Sequence, residues 1–232
     1  MDSHFLHPVT ISYNQLHKHK RINPMFYFLL ALTALLAATP NAAKPVLDTD
    51  GDFIFDGSYY VLPAIFGAAG GGLNLASRGS NQCPLFVGQE ISEVDRGIPV
   101  KFSNWRLKVG FVPESEKLNI KMDVEATICV QSTYWWVTAA PSGFRTSFIT
   151  AGPNPEAGED SSRSFFQIEK AKGFPDGYHI MFCPNDNDCI NVGIVVDEYG
   201  VRRLALSSMP FPFVFMKATG TQTSSKPIMS II

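Results

Sequence analysis

From residue 46 onward the sequence is a succession of short segments, rich in β-branched and aromatic residues, that end at turn signals. Apolar and polar residues alternate in several of them, for example in KLNIKMDV, as half-buried strands require. Dipeptides typical of hairpin turns recur at Asp56-Gly57, Asp176-Gly177 and Tyr199-Gly200. No stretch of this region has the pattern of an amphipathic helix. Ten to twelve short strands in under 190 residues predict an all-β barrel or sandwich.

The first 43 residues have the pattern of a targeting segment and not of a folded domain. An apolar run of 14 residues, Met25 to Ala38, follows the basic residues of HKHKR and precedes the small residues of TPNAA. This order predicts a secretory signal peptide, since the run is shorter than the roughly 20 residues of a membrane-spanning helix. We therefore expect a leader and signal peptide over 1–43, one domain over 44–219 and a flexible tail over 220–232. A secreted or vacuolar protein follows from this organisation.

The charge of the domain excludes a broad class of partners. Beyond residue 43 the chain has 16 Lys and Arg against 20 Asp and Glu, a net charge of −4. Such a balance gives no general affinity for nucleic acid or for an anionic membrane. We expect neither as a partner once the signal is removed, and we expect a monomer.

Four cysteines lie beyond the signal, an even number in a chain that is predicted to be exported. Disulfides are the expected state, and four cysteines allow three pairings. Cys183 and Cys189 flank the turn PNDND and are close enough in sequence to pair, which leaves Cys83 with Cys129. A metal site is disfavoured, because the domain has one histidine, His179, and no CxxC pair.

Catalytic and phosphate-binding motifs are missing from the sequence. His179 lies within the strand pattern YHIMF, and no GxSxG motif accompanies it. The Gly70-Gly71-Gly72 run lacks the Lys-Ser/Thr of a phosphate-binding loop and is interpreted as a flexible hinge or turn. We predict that the protein is not an enzyme and needs no cofactor.

The segment FSNWRLKVGFVPESEKL, residues 102–118, differs from the strands on either side of it. It has neither a helical nor a strand period, and glycine and proline interrupt it. Arg106, Leu107 and Lys108 follow one another directly after Trp105. A basic, irregular loop on a β scaffold is either a solvated surface loop or a ligand presented to a partner.

Several segments together resemble the plant Kunitz-type (soybean trypsin inhibitor) family, including its miraculin-like and seed-albumin branch. The resemblance begins at PVLDTDGDFIFDGSYYVLP and continues through QCPLFVGQEISEVDRGIPVKFSN, LNIKM, SFFQIEKA, YHIMFCP and VGIVVDEYGVRRLALS. It covers Val46 to Thr219 and all four cysteines. It implies a β-trefoil of twelve strands in three pseudo-repeats, with the disulfides Cys83–Cys129 and Cys183–Cys189.

The resemblance also implies a serine endopeptidase inhibitor whose exposed loop, Trp105-Arg106-Leu107-Lys108, enters the protease as a substrate would. Counting from different flanking motifs places Arg106, Leu107 or Lys108 at the primary specificity position. We prefer Arg106, with Leu107 on the leaving side, because this choice matches the family's aromatic-basic-aliphatic-basic run. Arginine predicts a trypsin-like target with an aspartate in its pocket, whereas leucine would suit a chymotrypsin-like one.

Two positions depart from the inhibitory pattern of the family. Asn104 occupies the place of a proline, and Asp56 (or Phe55, one position earlier) occupies the place of the asparagine that braces the loop. Asp56 is the expected bracing residue, although an aspartate keeps only the acceptor of an asparagine side chain. The alternative function is therefore a non-inhibitory miraculin-like or seed storage and defence trefoil that binds a carbohydrate or a receptor.

Overall fold

The computed structural model describes residues 23–37, 43–65, 67, 69–107, 109–129, 132–139, 146–155, 161–185 and 188–219. The chain has two units, divided between Ala42 and Ala43. In the first unit the described residues form one helix, α1, Pro24–Ala37. No helix in these described ranges combines the length and the apolar character that crossing a membrane demands.

The second unit is built from short antiparallel strands. Within its described residues there are twelve: β1 Tyr59–Pro63, β2 Leu73–Arg78, β3 Asn81–Gln89, β4 Val100–Ser103, β5 Asn119–Met122, β6 Tyr134–Val137, β7 Ile149–Gly152, β8 Phe166–Lys170, β9 Tyr178–Phe182, β10 Ile190–Val196, β11 Arg202–Leu206 and β12 Phe213–Lys217. A short 3₁₀ helix, Ser161–Ser164, precedes β8.

Six of the strands close a barrel. β1 pairs with β4 and with β12, β4 pairs with β5, and β9 pairs with both β8 and β12. A bridge between Leu118 and Phe166 joins the start of β5 to the start of β8 and completes the ring. A closed ring leaves no unpaired sheet edge among these strands.

The other six strands form three hairpins over one end of the barrel. They are β2–β3, β6–β7 and β10–β11, and bridges join each hairpin to the other two. Each third of the domain thus contributes two barrel strands and one hairpin. This arrangement is a β-trefoil, which confirms the predicted architecture of twelve strands in three repeats.

Alternation of burial along the strands fills the barrel with large apolar side chains. Trp135 is fully buried, and its ring meets that of Phe166 edge-on with centroids 5.7 Å apart. Phe102 of β4 makes a similar edge contact with Phe215 of β12 at 5.5 Å. Edge-to-face aromatic pairs add to the free energy gained from burial, so this core fixes the strands from which the loops project.

Backbone contacts hold the glycine run in place, which the interpretation as a flexible hinge or turn did not anticipate. Gly71 and Gly72 are buried, and their backbone N–H groups donate to the carbonyls of Glu90 and Asp95, each at 2.8 Å. A side chain at Gly72 would collide with the carbonyl of Arg96. Glycine is needed here because two backbone segments lie in direct contact.

Both expected disulfides are present. Cys83 bonds to Cys129 and Cys183 to Cys189, with Cα atoms 5.6 and 4.3 Å apart. The longer ring spans a sequence separation of 46 and encloses the segment 102–118. This covalent ring limits how far the ends of that segment can separate, even in the unfolded chain.

Candidate functional site

The candidate site is the connection between β4 and β5. Ser103, the last residue of β4, pairs with Asn119, the first residue of β5, so the chain leaves and re-enters the barrel at the same place. Between these two residues the loop projects from the barrel. Both of its ends are therefore fixed by the sheet.

A chain of side-chain hydrogen bonds anchors the first residue of the loop. Asn104 adopts a φ of 63°, a left-handed conformation that asparagine accepts more readily than most residues. Its Nδ2 donates to Oδ1 of Asn119 at 2.9 Å. Asn119, only 2% exposed, in turn donates to the carbonyl of Ser164 at 2.7 Å and to its hydroxyl at 3.2 Å. The loop is thus connected to the 3₁₀ helix before β8.

Trp105 anchors the next position by packing. Its half-buried ring lies against the hydrophobic core, and its Nε1 donates to the carbonyl of Val109 at 3.2 Å. The N–H of Val109 donates to the carbonyl of Leu107 at 2.8 Å. The bond from Trp105 to Val109 joins the two sides of the loop across its tip, and the bond from Val109 to Leu107 forms a tight turn directly after it.

Arg106 and Leu107 form the exposed tip of the described loop. The Arg106 side chain is 72% exposed, and Leu107 is 39% exposed. Arg106 Nε lies 3.9 Å from Glu116 Oε2, at the long end of ion-pair distances. That Glu116 oxygen is buried and has no hydrogen-bond partner among the described residues. Lys108 lies outside the described residues.

Asp56 faces the same region as the loop without a hydrogen bond to its described residues. The Asp56 carboxylate is exposed and accepts the N–H of Gly57 at 2.9 Å. Asp56 lines a groove of about 320 Å³ together with Trp105 and Gly110. Its bracing role stays a prediction. Among the described residues Asn104 is held by Asn119, and the N–H of Val112 donates to the carbonyl of Ile54.

A charged cluster supports the base of β4 behind the loop. Lys101 Nζ lies 3.0 Å from Asp123, whose carboxylate also accepts a hydrogen bond from the Ser58 hydroxyl. Burial alone would raise the pKa of Asp123. The hydrogen bonds from Ser58 and Lys101 and the charges of Lys101 and Lys121 outweigh burial, and the pKa lies below its usual value.

The geometry suits presentation of the loop to a partner. In the part of the chain that the structure describes, no group of three or more His, Cys, Asp or Glu could hold a metal ion. His179 lies in β9 opposite Glu169, and burial lowers its pKa although the charge of Glu169 opposes this effect. What the loop offers is an exposed basic side chain beside residues that are fixed in place.

Sequence reasoning did not identify Asn119, Ser164 or Glu116 as parts of the site. Asn119 and Ser164 are 45 positions apart, and no local pattern connects them. Alternation in KLNIKMDV places Asn119 on the outward face with Lys117 and Lys121, so the sequence gives no signal that this asparagine is buried.

The comparisons with known proteins agree with this geometry. A family model described as trypsin and protease inhibitor matches residues 46–217. Kunitz trypsin inhibitor 4 of Arabidopsis thaliana is 56% identical over 213 residues, which cover 89% of this chain and 97% of that protein. Miraculin of Synsepalum dulcificum is 35% identical over 83% of this chain and 94% of its own. Members of the matched family are inhibitors, not enzymes.

A solved structure extends the agreement to three dimensions. In the complex of porcine pancreatic trypsin with soybean trypsin inhibitor, a chain is 31% identical and matches with a TM-score of 0.62. The match covers 76% of this chain and 100% of that one. Sequence, fold and disulfides point to the same group of proteins. The chain belongs to the Kunitz-type (soybean trypsin inhibitor) family of protease inhibitors.

Proposed function

We propose that the protein inhibits a trypsin-like serine endopeptidase by presenting the Arg106–Leu107 peptide bond as a substrate would. The observation that carries the proposal is the contrast between neighbours in the loop. Arg106 is 72% exposed, whereas Trp105, directly before it, packs against the core. Similarity to an inhibitor solved in complex with porcine trypsin supports a serine endopeptidase as the partner.

Rigidity is what separates an inhibitor from a substrate in this proposal. A flexible peptide loses conformational freedom when a protease binds it, and this entropy cost weakens binding. The hydrogen bonds of Asn104 and Trp105 order the loop before the protease arrives. After cleavage, the disulfide ring and the barrel would hold the two new ends together, which favours resynthesis of the bond and slows release.

Arg106 serves as the primary specificity residue, and Leu107 follows on the leaving side. A guanidinium pairs with the buried aspartate of a trypsin-like pocket through two parallel hydrogen bonds. Entering the pocket requires Arg106 to leave Glu116. At 3.9 Å and with the Arg106 side chain mostly exposed, this ion pair contributes about 1 kcal/mol at most. Leu107 with a chymotrypsin-like protease, and Lys108 with a trypsin-like one, are the other assignments of the primary position.

We further propose that the protein acts as a secreted or vacuolar monomer after removal of residues 1–43. The apolar segment of α1 belongs to the region to be removed, and the disulfides suit an oxidising compartment. Mass spectrometry of the protein from plant tissue tests the processing, and size-exclusion chromatography tests the oligomeric state.

The decisive experiment is a titration of active proteases with the purified domain. Trypsin, chymotrypsin and the cysteine protease papain are each mixed with increasing amounts of the domain, and residual activity is measured. The proposal predicts stoichiometric loss of trypsin activity and an intact inhibitor band on a gel. Rapid cutting after Arg106 without loss of activity would instead support the non-inhibitory storage or receptor-binding alternative.

A further inference from the structure

Aromatic side chains of the loop and of the segment beside it form a partly exposed group. This group, the aromatic shelf, consists of Phe53, Phe55, Phe111 and Trp105. Phe53 is 53% exposed and Phe55 is 47% exposed, whereas Ile54 between them is fully buried. The backbone therefore directs the two phenylalanines outward and the isoleucine into the core.

The shelf is continuous with the candidate inhibitory loop. The N–H of Val112, within the second half of the loop, donates to the carbonyl of Ile54 at 2.7 Å. The ring of Phe111 lies 5.6 Å from that of Phe53, measured between centroids. A backbone hydrogen bond and a ring contact therefore join the segment of Phe53 and Phe55 to the loop.

Two adjoining grooves give the shelf a concave surface. One, of about 320 Å³, reaches from Phe55 to Trp105, and the other, of about 420 Å³, reaches from Phe55 to Phe53. Gly110 lines both grooves, and its missing side chain leaves the space between them open. Contiguous exposed apolar surface of this kind marks interaction sites on soluble proteins.

The rim of the shelf has charges of both signs. Lys217 Nζ stands 5.5 Å from the centroid of the Phe55 ring, and Lys101 lines the first groove. Asp52 and Asp56 lie on the same rim. Because the charges are mixed, attraction to a partner here comes chiefly from the aromatic surface and depends little on ionic strength.

We propose that the aromatic shelf is a second contact surface for the inhibited protease, occupied by the protease surface that borders its active-site cleft. This inference rests on the proposed function. When a loop enters a protease cleft, the rim of the cleft contacts the residues that flank the loop. In this protein those residues are Phe53 and Phe55. Apolar contact around a central anchor excludes water and slows dissociation.

The test compares the domain with the variant Phe53→Ser/Phe55→Ser against trypsin by surface plasmon resonance and by inhibition kinetics. We expect dissociation to become about tenfold faster or more, with little change in the association rate and the same ratio at low and high salt. The matched control is Ile91→Ser/Val94→Ser, because these side chains are 84% and 85% exposed and do not line the shelf.

The outcomes separate the two proposals. Circular dichroism and thermal unfolding establish that both variants keep the fold of the parent domain. An unchanged dissociation rate for the shelf variant, beside a fully inhibitory parent, overturns the shelf alone. An equal acceleration in the control variant overturns it too. If the parent domain does not inhibit trypsin or chymotrypsin, the shelf and the proposed function fall together.

Discussion

The side-chain amide of Asn104 donates to Oδ1 of Asn119 at 2.9 Å, across the two strands that carry the loop. Asn119 is buried and in turn donates a hydrogen bond to the backbone carbonyl of Ser164. The residue two positions before Arg106 is thus tied to the interior of the barrel. In this chain a buried residue of the barrel, Asn119, orders the loop by binding Asn104, which occupies the place of the family's proline.

Replacing Asn119 with Ala should convert the protein from an inhibitor towards a substrate. The carbonyl of Ser164 would lose its donor inside the barrel, which costs about 1–3 kcal/mol of unfolding free energy. Asn104 would lose its anchor, so trypsin should cleave Arg106–Leu107 about tenfold faster or more. Urea unfolding measures the first effect, and a gel time course with catalytic trypsin measures the second.

Thr133→Val is the matched control for Asn119→Ala. Thr133 is also buried and donates to the carbonyl of Met122 at 2.7 Å, at the opposite end of β5. A similar loss of stability with unchanged cleavage of the loop is expected. If both variants were cleaved equally fast, general destabilisation would explain the result and Asn119 would have no particular role in the loop.

Replacing Arg106 with Ala should raise the inhibition constant for trypsin by about a thousandfold, because the charged anchor of the interface is lost. Arg106→Lys should keep most of the inhibition, since an ammonium also pairs with the aspartate of the pocket. Leu107→Ala, measured in the same assay, should change the constant much less. A reversal of this order would assign the primary position to Leu107.

Much of the fold could be predicted because its causes are local. Alternation in KLNIKMDV and turn dipeptides such as Asp176-Gly177 specify strands and their ends residue by residue. The Cys183–Cys189 pair is separated by only six positions, so its proximity could be inferred from the sequence. These features need no knowledge of which strands become neighbours.

The candidate site could be predicted only in part because its contacts are distant in sequence. The exposed Arg106 lies in a stretch whose irregularity is visible, but the bonds from Asn119 to Ser164 depend on barrel closure. The Gly70–Gly72 run was interpreted as flexible for the same reason. Its partners Glu90 and Asp95 approach only when β2 and β3 form their hairpin.

Replacing Glu116 with Gln should leave trypsin inhibition nearly unchanged. The Arg106–Glu116 contact is long, at 3.9 Å, and Arg106 is largely exposed, so the pair contributes little. Because Arg106 must leave Glu116 to enter the protease pocket, any change should favour binding, by about fivefold at most. Inhibition kinetics at two salt concentrations provide the measurement. A large loss of inhibition would show that Glu116 holds Arg106 in its binding pose.

The buried pair Asp197–Arg203 predicts how stability depends on pH. Arg203 Nε lies 2.9 Å from Asp197 Oδ2, and both side chains are buried. Burial alone would raise the pKa of Asp197, but the hydrogen bonds from Arg203 and from the backbone N–H groups of Val201 and Tyr199 lower it. A carboxyl with a lowered pKa stabilises the fold fully above its unfolded pKa of about 3.9. That stabilisation is lost as the pH falls through the folded pKa.

Asp197→Asn should therefore cost about 3–5 kcal/mol of unfolding free energy at pH 7, because the charge of Arg203 stays buried without its partner. The difference from the parent domain in unfolding free energy should narrow at pH 3, because below about 3.9 the carboxyl takes up its proton in the unfolded chain and part of the stabilisation is lost. Urea unfolding at both pH values measures the two differences. Asp123→Asn is the control, since its partly exposed ion pair with Lys101 should give a smaller effect. If the difference in unfolding free energy between the parent and Asp197→Asn is the same at pH 7 and pH 3, Asp197 contributes through packing and hydrogen bonds and not through its charge.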